Sequence, residues 1–182
     1  TMGQLDHGIH LVEDVADVAR VMPSQTDKLA VVTQTTLSVD DAADITAAIQ
    51  ARFPNVRSPK QQDICYATQN RQDAVKLLSR AVDVVVVVGS PTSSNSNRLA
   101  ELARKLGTPG YMVDSADDLQ AQWFEGCARV GLTAGASAPE VLVTQVIERI
   151  KSLGAVSVQH MAGVVETTKF PLPKGLRLDG EA

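Results

Sequence analysis

The sequence has few aromatic residues, few cysteines and no long apolar run, and each shortage disfavours a class of protein. One Trp, two Tyr and three Phe among 182 residues disfavour a stacking platform for bases or sugars. Two cysteines are too few for a disulfide framework, which favours a reducing, cytoplasmic compartment. No apolar run approaches the roughly 20 residues that span a bilayer, so we expect no membrane partner.

Positive charge is also scarce. The formal net charge is −4 and the isoelectric point is near 5.3, whereas a protein that binds nucleic acid needs a basic face to neutralise phosphates. We therefore expect no nucleic-acid partner. Hydrophobic residues make up 44% of the chain, enough for a core, and the length fits one compact domain or one and a half smaller ones.

One progression of residues occurs three times: an apolar strand, a short loop of hydroxyl and amide residues, and an amphipathic helix. The predicted strands are residues 29–32, 84–88 and 128–132. The second consists of five consecutive valines, which is typical of a strand buried on both faces of a parallel sheet. Strands that alternate with helices predict an α/β fold of repeated strand-loop-helix units with mostly parallel sheets and right-handed crossovers.

The helix of the first unit is predicted over residues 39–53. Outside the three units we predict helices over residues 11–21, 69–81 and 117–124, a strand over residues 111–113 and an extended tail at residues 170–174.

Residue spacing also predicts how some helices begin, pack and end. Ser38 and Ser137 each stand three positions before an acidic residue, which predicts that they cap the following helices. Gly107 predicts the end of the helix that follows the valine strand. That helix should bury three leucines, and the helix over residues 69–81 should bury Ala74, Leu77 and Leu78 on one face. The three leucines are Leu99, Leu102 and Leu106.

The three loops that follow the strands are rich in neutral hydrogen-bond donors. They are residues 33–36, 90–96 and 133–137. In an open α/β sheet such loops lie at one edge, and each leads here into a helix N-terminus that favours negative charge. Together they predict a site for a phosphate or diphosphate. Taken singly, each loop can instead be explained by serine and threonine that only cap helices.

Cys65 directly precedes a predicted helix, a position that favours the thiolate form of a cysteine. A thiolate there can serve as a nucleophile or as a metal ligand, and the alternative is a small buried hydrophobe. Cys127 enters a predicted strand and is expected to be such a hydrophobe. Two cysteines 62 positions apart cannot form a self-contained zinc or iron–sulfur site. His7 and His10 lack a third ligand nearby, and His160 is expected at the surface.

Four strings of residues share their order and spacing with one known family. They are residues 33–38 (TQTTLS), 63–72 (DICYATQNRQ), 93–99 (SSNSNRL) and 133–139 (TAGASAP). Together they resemble the 4-hydroxy-3-methylbut-2-enyl diphosphate reductase family, the last enzymes of the non-mevalonate isoprenoid pathway. The resemblance extends over essentially the whole chain, from Thr1 to the tail at residues 170–174.

The resemblance implies a redox reaction at an iron–sulfur centre. Members of the family remove the allylic hydroxyl of their substrate with two electrons and two protons, and they form isopentenyl and dimethylallyl diphosphate. The cofactor is a 4Fe-4S cluster held by three cysteines, of which Cys65 matches the third. The electron donor implied is ferredoxin or flavodoxin.

The resemblance also implies roles for six positions of the site. Thr35 matches a catalytic threonine beside the substrate hydroxyl, and Gln34 lines the same pocket. The positions that match the diphosphate-binding residues are Ser93, Ser94, Asn95 and Ser137.

The resemblance finally implies that the chain is the remainder of a three-domain arrangement. Residues 1–63 match the C-terminal part of the middle α/β domain, residues 64–152 the third α/β domain and residues 153–182 a C-terminal tail. The family's N-terminal half supplies the other two cluster cysteines, substrate-pocket histidines and a proton-relay glutamate. We therefore expect that this chain alone neither holds a cluster nor turns over substrate.

Two other functions stay open from the residues alone. The first is a non-redox module that binds a phosphosugar, because serine-rich loops before helices also occur in such domains. The second is a transferase of a phosphorylated substrate that uses Cys65 as its nucleophile.

Overall fold

A parallel three-stranded sheet lies at the centre of the fold. The computed structural model describes residue 3, residues 7–59 and residues 63–164, so the predicted tail at residues 170–174 lies outside the described residues. The strands are β1 (Val84–Val88), β2 (Gly110–Val113) and β3 (Val130–Ala134), in the order β2-β1-β3. Both neighbours of β1 run parallel to it. The predicted α/β class with a parallel sheet is thereby confirmed.

The five valines of β1 form the centre of the core. All five are at most 1% exposed, because β-branched side chains suit strands and the central strand is covered on both faces. Val85 and Val87 belong to a cluster with Val75 and Leu99. The other face of the strand packs in a second cluster with Val146 and neighbouring apolar residues. The prediction of a doubly buried strand at residues 84–88 is correct.

The described residues include five α-helices, of which three precede β1, one lies between β1 and β2, and one follows β3. They are α1 (Val15–Val18), α2 (Val39–Arg52), α3 (Tyr66–Leu78), α4 (Ser94–Lys105) and α5 (Glu140–Ser152). Val75 and Leu99 place α3 and α4 on one face of the sheet, and Val146 places α5 on the other. Within the described parts of the chain, no helix is both long and apolar enough to cross a membrane.

The predicted ends and faces of the helices are correct only in part: α3 covers Tyr66–Leu78 instead of residues 69–81. Gly107 directly follows Leu106, the C-cap of α4. Its φ is +88°, a conformation that glycine adopts without strain. Leu99 and Leu102 are buried, but Leu106 is 44% exposed, because it lies in the C-cap where the backbone leaves the helical path. Of the predicted inward residues of α3, Leu78 packs against the core cluster that contains Val75, whereas Leu77 is 55% exposed.

Two predicted elements before α2 are largely absent. The predicted helix over residues 11–21 is reduced to the four residues of α1, whose N-cap is Asp14. The predicted strand over residues 29–32 is a single parallel bridge between Ala30 and Arg57. An apolar run becomes a strand only when another strand pairs with it, and this pairing does not extend beyond one bridge within the described residues.

Two further predictions after β2 require correction. The predicted helix over residues 117–124 is two 3-10 helices, Ala116–Asp118 and Ala121–Phe124, because the backbone becomes extended at Leu119 and Gln120 between them. The third strand begins two residues later than predicted. The amides of Ala128 and Arg129 both donate to the Asp83 carboxylate rather than to a neighbouring strand.

Polar contacts join the N-terminal segment to α3 and α4. Gln72 of α3 is 2% exposed; its side-chain oxygen accepts from the Val39 amide and its nitrogen donates to the Leu37 carbonyl. Ion pairs link two acidic residues in the first turn of α2 to the other helices. These pairs are Asp40 with Lys76 and Asp41 with Lys105.

Candidate functional site

The carboxyl ends of β1 and β3 lie side by side at one edge of the sheet. Val88 is in register with Ala134, and the Gly135 amide donates to the Val88 carbonyl over 2.9 Å. The loops of residues 89–93 and 135–139 therefore leave the sheet from adjacent positions. This is the edge at which α/β proteins bind ligands.

Ser93 begins α4 as its N-cap. Its Oγ accepts hydrogen bonds from the amide and from the hydroxyl of Ser96, at 3.3 and 3.0 Å. The Ser93 amide donates to the Ser90 carbonyl at 2.9 Å, and the Asn97 side chain donates to the Ser93 carbonyl at 3.0 Å. Ser94, the first residue of α4, is half-buried. These contacts fix the serine loop at the positive end of the α4 dipole.

Asn95 is the least satisfied polar group of this edge. The residue is 6% exposed, yet neither its Oδ1 nor its Nδ2 has a hydrogen-bond partner in the described structure. Its Nδ2 lies 3.7 Å from the position that a Cβ would occupy on Gly135. Leaving a buried amide unpaired is unfavourable by about 1–3 kcal/mol per group. The side chain is therefore suited to hydrogen bonds with a ligand between the two loops.

Ser137 lies in the loop after β3 and is exposed. The sequence predicts that it caps the following helix, and this is wrong: α5 begins at Glu140 with Pro139 as N-cap and no side-chain cap. Proline holds φ near −65° by itself and has no amide hydrogen that needs a partner. The Ser137 hydroxyl is therefore not used for capping.

The predicted loop of residues 33–36 lies beside Cys65. The Cys65 amide donates to the Thr35 carbonyl over 3.0 Å, and the Thr33 amide donates to the Asp63 carboxylate over 2.9 Å. Gln34 and Thr35 are both exposed. Residues 33–36 are thereby held against the segment that carries the cysteine.

Cys65 occupies the N-cap of α3. Its carbonyl accepts from the amides of Thr68 and Gln69 at 2.9 and 3.0 Å, while its side chain makes no capping hydrogen bond and is exposed. The alternative that Cys65 is a buried hydrophobe is therefore wrong. Cys127 is partly buried, and its Sγ donates to the Trp123 carbonyl.

Arg71 connects α3, the helix that follows Cys65, to the end of β3. Its Nη1 donates to the Ala134 carbonyl over 3.0 Å, at the last residue of β3. Its Nε is buried and lacks a partner in the described residues. Direct hydrogen bonds thus join the residue 33–36 loop to Cys65, and α3 to the strand end that precedes Gly135.

The described residues do not form a complete metal site. Among them, no group of three or more His, Cys, Asp or Glu side chains is close enough to hold a metal ion. His7, His10 and His160 are exposed, which agrees with the surface position expected for His160. Cys65 can therefore contribute one thiolate ligand, and a cluster would need further ligands from outside the described residues.

A groove of about 230 Å³ between α2, α3 and α4 is a different surface. Its charged residues pair with one another, Asp41 with Lys105 and Arg98 with Glu101. Hydrogen bonding by Lys105 lowers the pKa of the Asp41 carboxyl below its ordinary value of 3.8. These pairs join helices and leave no unpaired charge among those four side chains for a ligand.

Three residues that support this arrangement were not identified as such from the sequence: Arg71, Gln72 and Ser96. Arg71 and Gln72 lie within the family-like string of residues 63–72, and Ser96 lies within residues 93–99. These strings are therefore the sequence feature from which the three residues could have been identified. Their roles depend on contacts with distant loops, which spacing along the chain does not reveal.

Comparison with known proteins identifies the family. The LytB protein family matches residues 1–151. A 4-hydroxy-3-methylbut-2-enyl diphosphate reductase of Polaromonas sp. is 76% identical over 181 residues, which cover 100% of this chain and 54% of that protein. The protein of the same name from Ralstonia nicotianae is 59% identical, over 98% of this chain and 55% of its own length. The chain thus spans about half the length of the curated relatives it matches.

A solved structure shows the same fold. The E-1-hydroxy-2-methyl-but-2-enyl-4-diphosphate reductase from Plasmodium falciparum superposes with a TM-score of 0.72 at 34% sequence identity. The match covers 76% of this chain and 44% of that one. Family match, sequence identity and fold agree, and the chain belongs to the LytB protein family.

Proposed function

We propose that this chain forms the diphosphate-binding edge and provides one cluster ligand of a 4-hydroxy-3-methylbut-2-enyl diphosphate reductase. The reaction converts that substrate, two electrons and two protons into isopentenyl or dimethylallyl diphosphate and water. The observation that carries the proposal is the buried, unpartnered amide of Asn95 between two adjacent loops. The names of relatives with 56–76% identity support the same reaction.

The diphosphate would bind where α4 begins. Asn95 can donate through its Nδ2, and the Ser93 and Ser94 hydroxyls lie at the N-terminus of the 12-residue helix α4, where the helix dipole stabilises anions. Ser137 would reach the ligand from the neighbouring loop, because its hydroxyl does not cap α5. Neutral hydroxyl and amide groups of this kind bind a diphosphate without a lysine ammonium group that would protonate reaction intermediates.

The reacting end of the substrate would lie between Cys65 and Thr35. The exposed Cys65 side chain would give one thiolate to a 4Fe-4S cluster, which when bound supplies electrons and a Lewis-acidic iron. Thr35 would donate a hydrogen bond to the substrate hydroxyl, and Gln34 would line the same pocket. The 3.0 Å bond between the Cys65 amide and the Thr35 carbonyl keeps these two residues adjacent.

The proposal also covers the other cluster ligands, the domains, the electron donor and the cellular compartment. The remaining cluster cysteines would come from a segment outside this sequence, since residues 1–63 and 64–152 would be the end of a middle domain and a third domain, followed by a tail over residues 153–182. Electrons would come from ferredoxin or flavodoxin. Both cysteines of the chain are free thiols, which suits the reducing cytoplasm.

A fusion protein tests the proposal. It joins the part of the Polaromonas relative that precedes the matched region to this chain, and the cluster is reconstituted anaerobically with iron and sulfide. We expect reduction of 4-hydroxy-3-methylbut-2-enyl diphosphate by a reduced viologen dye, together with a 4Fe-4S electron paramagnetic resonance signal. Cys65→Ser should abolish both, because a thiolate ligand is lost.

Cys127→Ser is the matched control, because Cys127 lies before β3 and its sulfur contacts the Trp123 carbonyl; this variant should keep cluster and activity. Cys65→Ser with unchanged iron content and turnover would contradict the proposal. A fusion protein that binds sugar phosphates but never reduces the substrate would instead indicate the non-redox binding module. We expect no cluster on the 182-residue chain alone, which the same resonance signal checks.

A further inference from the structure

We propose that Ser96 is a positioning residue that makes Ser93 a hydrogen-bond donor toward the ligand. This inference rests on the proposed function, which places a diphosphate at the loops of residues 89–93 and 135–139. Ser96 itself is 1% exposed and would not contact the ligand.

The hydrogen bonds of Ser93 determine the direction of its proton. A serine hydroxyl has two acceptor lone pairs and one donor hydrogen. Both lone pairs of Ser93 Oγ accept from Ser96, one from its amide at 3.3 Å and one from its hydroxyl at 3.0 Å. The hydrogen of Ser93 is therefore the one polar function of this hydroxyl that remains for another group. An anionic diphosphate oxygen offers acceptors only, so it matches a hydroxyl held in this way.

Two glycines from different loops leave room for the Ser96 hydroxyl. A Cβ on Gly89 would lie 2.1 Å from Ser96 Oγ, and a Cβ on Gly135 would lie 2.2 Å from the same atom. Distances below 3.0 Å are not tolerated between such atoms, so side chains at either position would displace the hydroxyl. The glycines after β1 and β3 thereby leave space for Ser96 to reach Ser93.

The expected consequence concerns affinity more than chemistry. Without the Ser96 hydroxyl, one lone pair of Ser93 is released and its hydrogen can rotate toward other acceptors. Loss of one neutral hydrogen bond weakens binding roughly three- to tenfold. Because the change lies at the diphosphate end, KM should rise while kcat changes by less than about twofold.

The experiment measures binding of inorganic diphosphate to the fusion protein by calorimetry. Ser96→Ala should weaken binding roughly three- to tenfold, and it should have no further effect when Ser93→Ala is already present. Ser152→Ala is the control: it removes an exposed hydroxyl at the last residue of α5, outside the two loops, that donates to the Arg149 carbonyl at 2.7 Å, and binding should stay within about twofold of the unsubstituted protein.

Gly135→Ala provides a second test of the same geometry. Its methyl group would displace the Ser96 hydroxyl and should weaken diphosphate binding as much as Ser96→Ala does. In the Ser96→Ala background it should do little, because the remaining Ser96 Cβ lies 3.4 Å away. Urea unfolding of the 182-residue chain should show the same non-additivity in stability.

Two results separate this inference from the proposed function. If Ser96→Ala weakens binding equally with and without Ser93, or leaves affinity unchanged, the positioning role is wrong while the diphosphate site stands. If the unsubstituted fusion protein binds no diphosphate at all, both the proposed function and this inference are wrong.

Discussion

Residues 84–152 and residues 7–59 are stabilised in different ways. In the first region the valines of β1 are completely covered by β2, β3 and the helices on both faces. In the second region the buried hydrophobic residues are Val18 and Ala42, and its attachment to α3 and α4 depends on hydrogen bonds and ion pairs.

The difference affects the candidate site, because the site draws on both regions. Buried apolar area contributes about 25 cal/mol per Å² to stability, whereas exposed ion pairs contribute little. The loops at Ser93 and Gly135 follow β1 and β3 and therefore belong to residues 84–152, the region stabilised by buried apolar side chains. The loop at Thr35 belongs to the part with few buried apolar residues, and we expect this part to open at a lower free energy.

The largest expected effect comes from weakening the strongly packed region. Leu99 is completely buried beside Val85 and Val87, so Leu99→Ala should lower the free energy of unfolding by about 2–5 kcal/mol. Urea unfolding of the 182-residue chain, followed by circular dichroism, measures it. Leu106→Ala is the control from the exposed end of the same helix segment, and it should stay within about 0.5 kcal/mol. Equal losses in both variants would contradict the assignment of the core.

An intermediate effect is expected from separating the two regions. Gln72→Leu removes the partners of the Val39 amide and the Leu37 carbonyl, at about 1–3 kcal/mol. Hydrogen exchange should accelerate in α2 but not in β1, because the attachment is lost while the sheet stays intact. Gln50→Ala is the control, since Gln50 contacts only Ser58 among the hydrogen bonds seen for its side chain. Uniform acceleration throughout the chain would show that the regions unfold together.

The smallest effect concerns the pH dependence of the attachment. The hydrogen bond from Lys105 lowers the pKa of Asp41 below 3.8, so the ionised carboxylate stabilises the folded state. This contribution is present above pH 3.8 and is lost as the pH falls through the lowered pKa of the folded state. Lys105→Gln should raise the Asp41 pKa toward 3.8, as measured by carboxyl NMR titration. Lys151→Gln, which breaks a pair within α5, should leave the Asp41 pKa unchanged.

Sequence patterns predicted the packed region better than the polar one. The valine run of β1 specifies a buried strand by itself, because its composition fits only a strand covered on both faces. The apolar run at residues 29–32 does not specify a strand, because strand formation also depends on a partner. The start of β3 was predicted two residues early because the sequence does not show that Asp83 binds the preceding amides.

The candidate site was predictable at the level of loops and not at the level of contacts. Hydroxyl-rich loops after apolar strands predict an anion-binding edge, and the position of Cys65 before a helix predicts a thiolate. The resemblance to a family adds roles for individual residues such as Thr35 and Asn95. The capping role of Ser137 was wrong because Pro139 begins α5 without it. The role of Ser96 depends on Gly135, a residue from another loop, and no periodicity connects positions 39 apart.

The bond between the Cys65 amide and the Thr35 carbonyl involves main-chain atoms only. Any amino acid except proline at position 65, and any amino acid at position 35, retains the atoms that make it. Side chains at both positions can thus be exchanged while this link is kept. Variants at position 35 consequently test the role proposed for the Thr35 side chain while they keep this main-chain link.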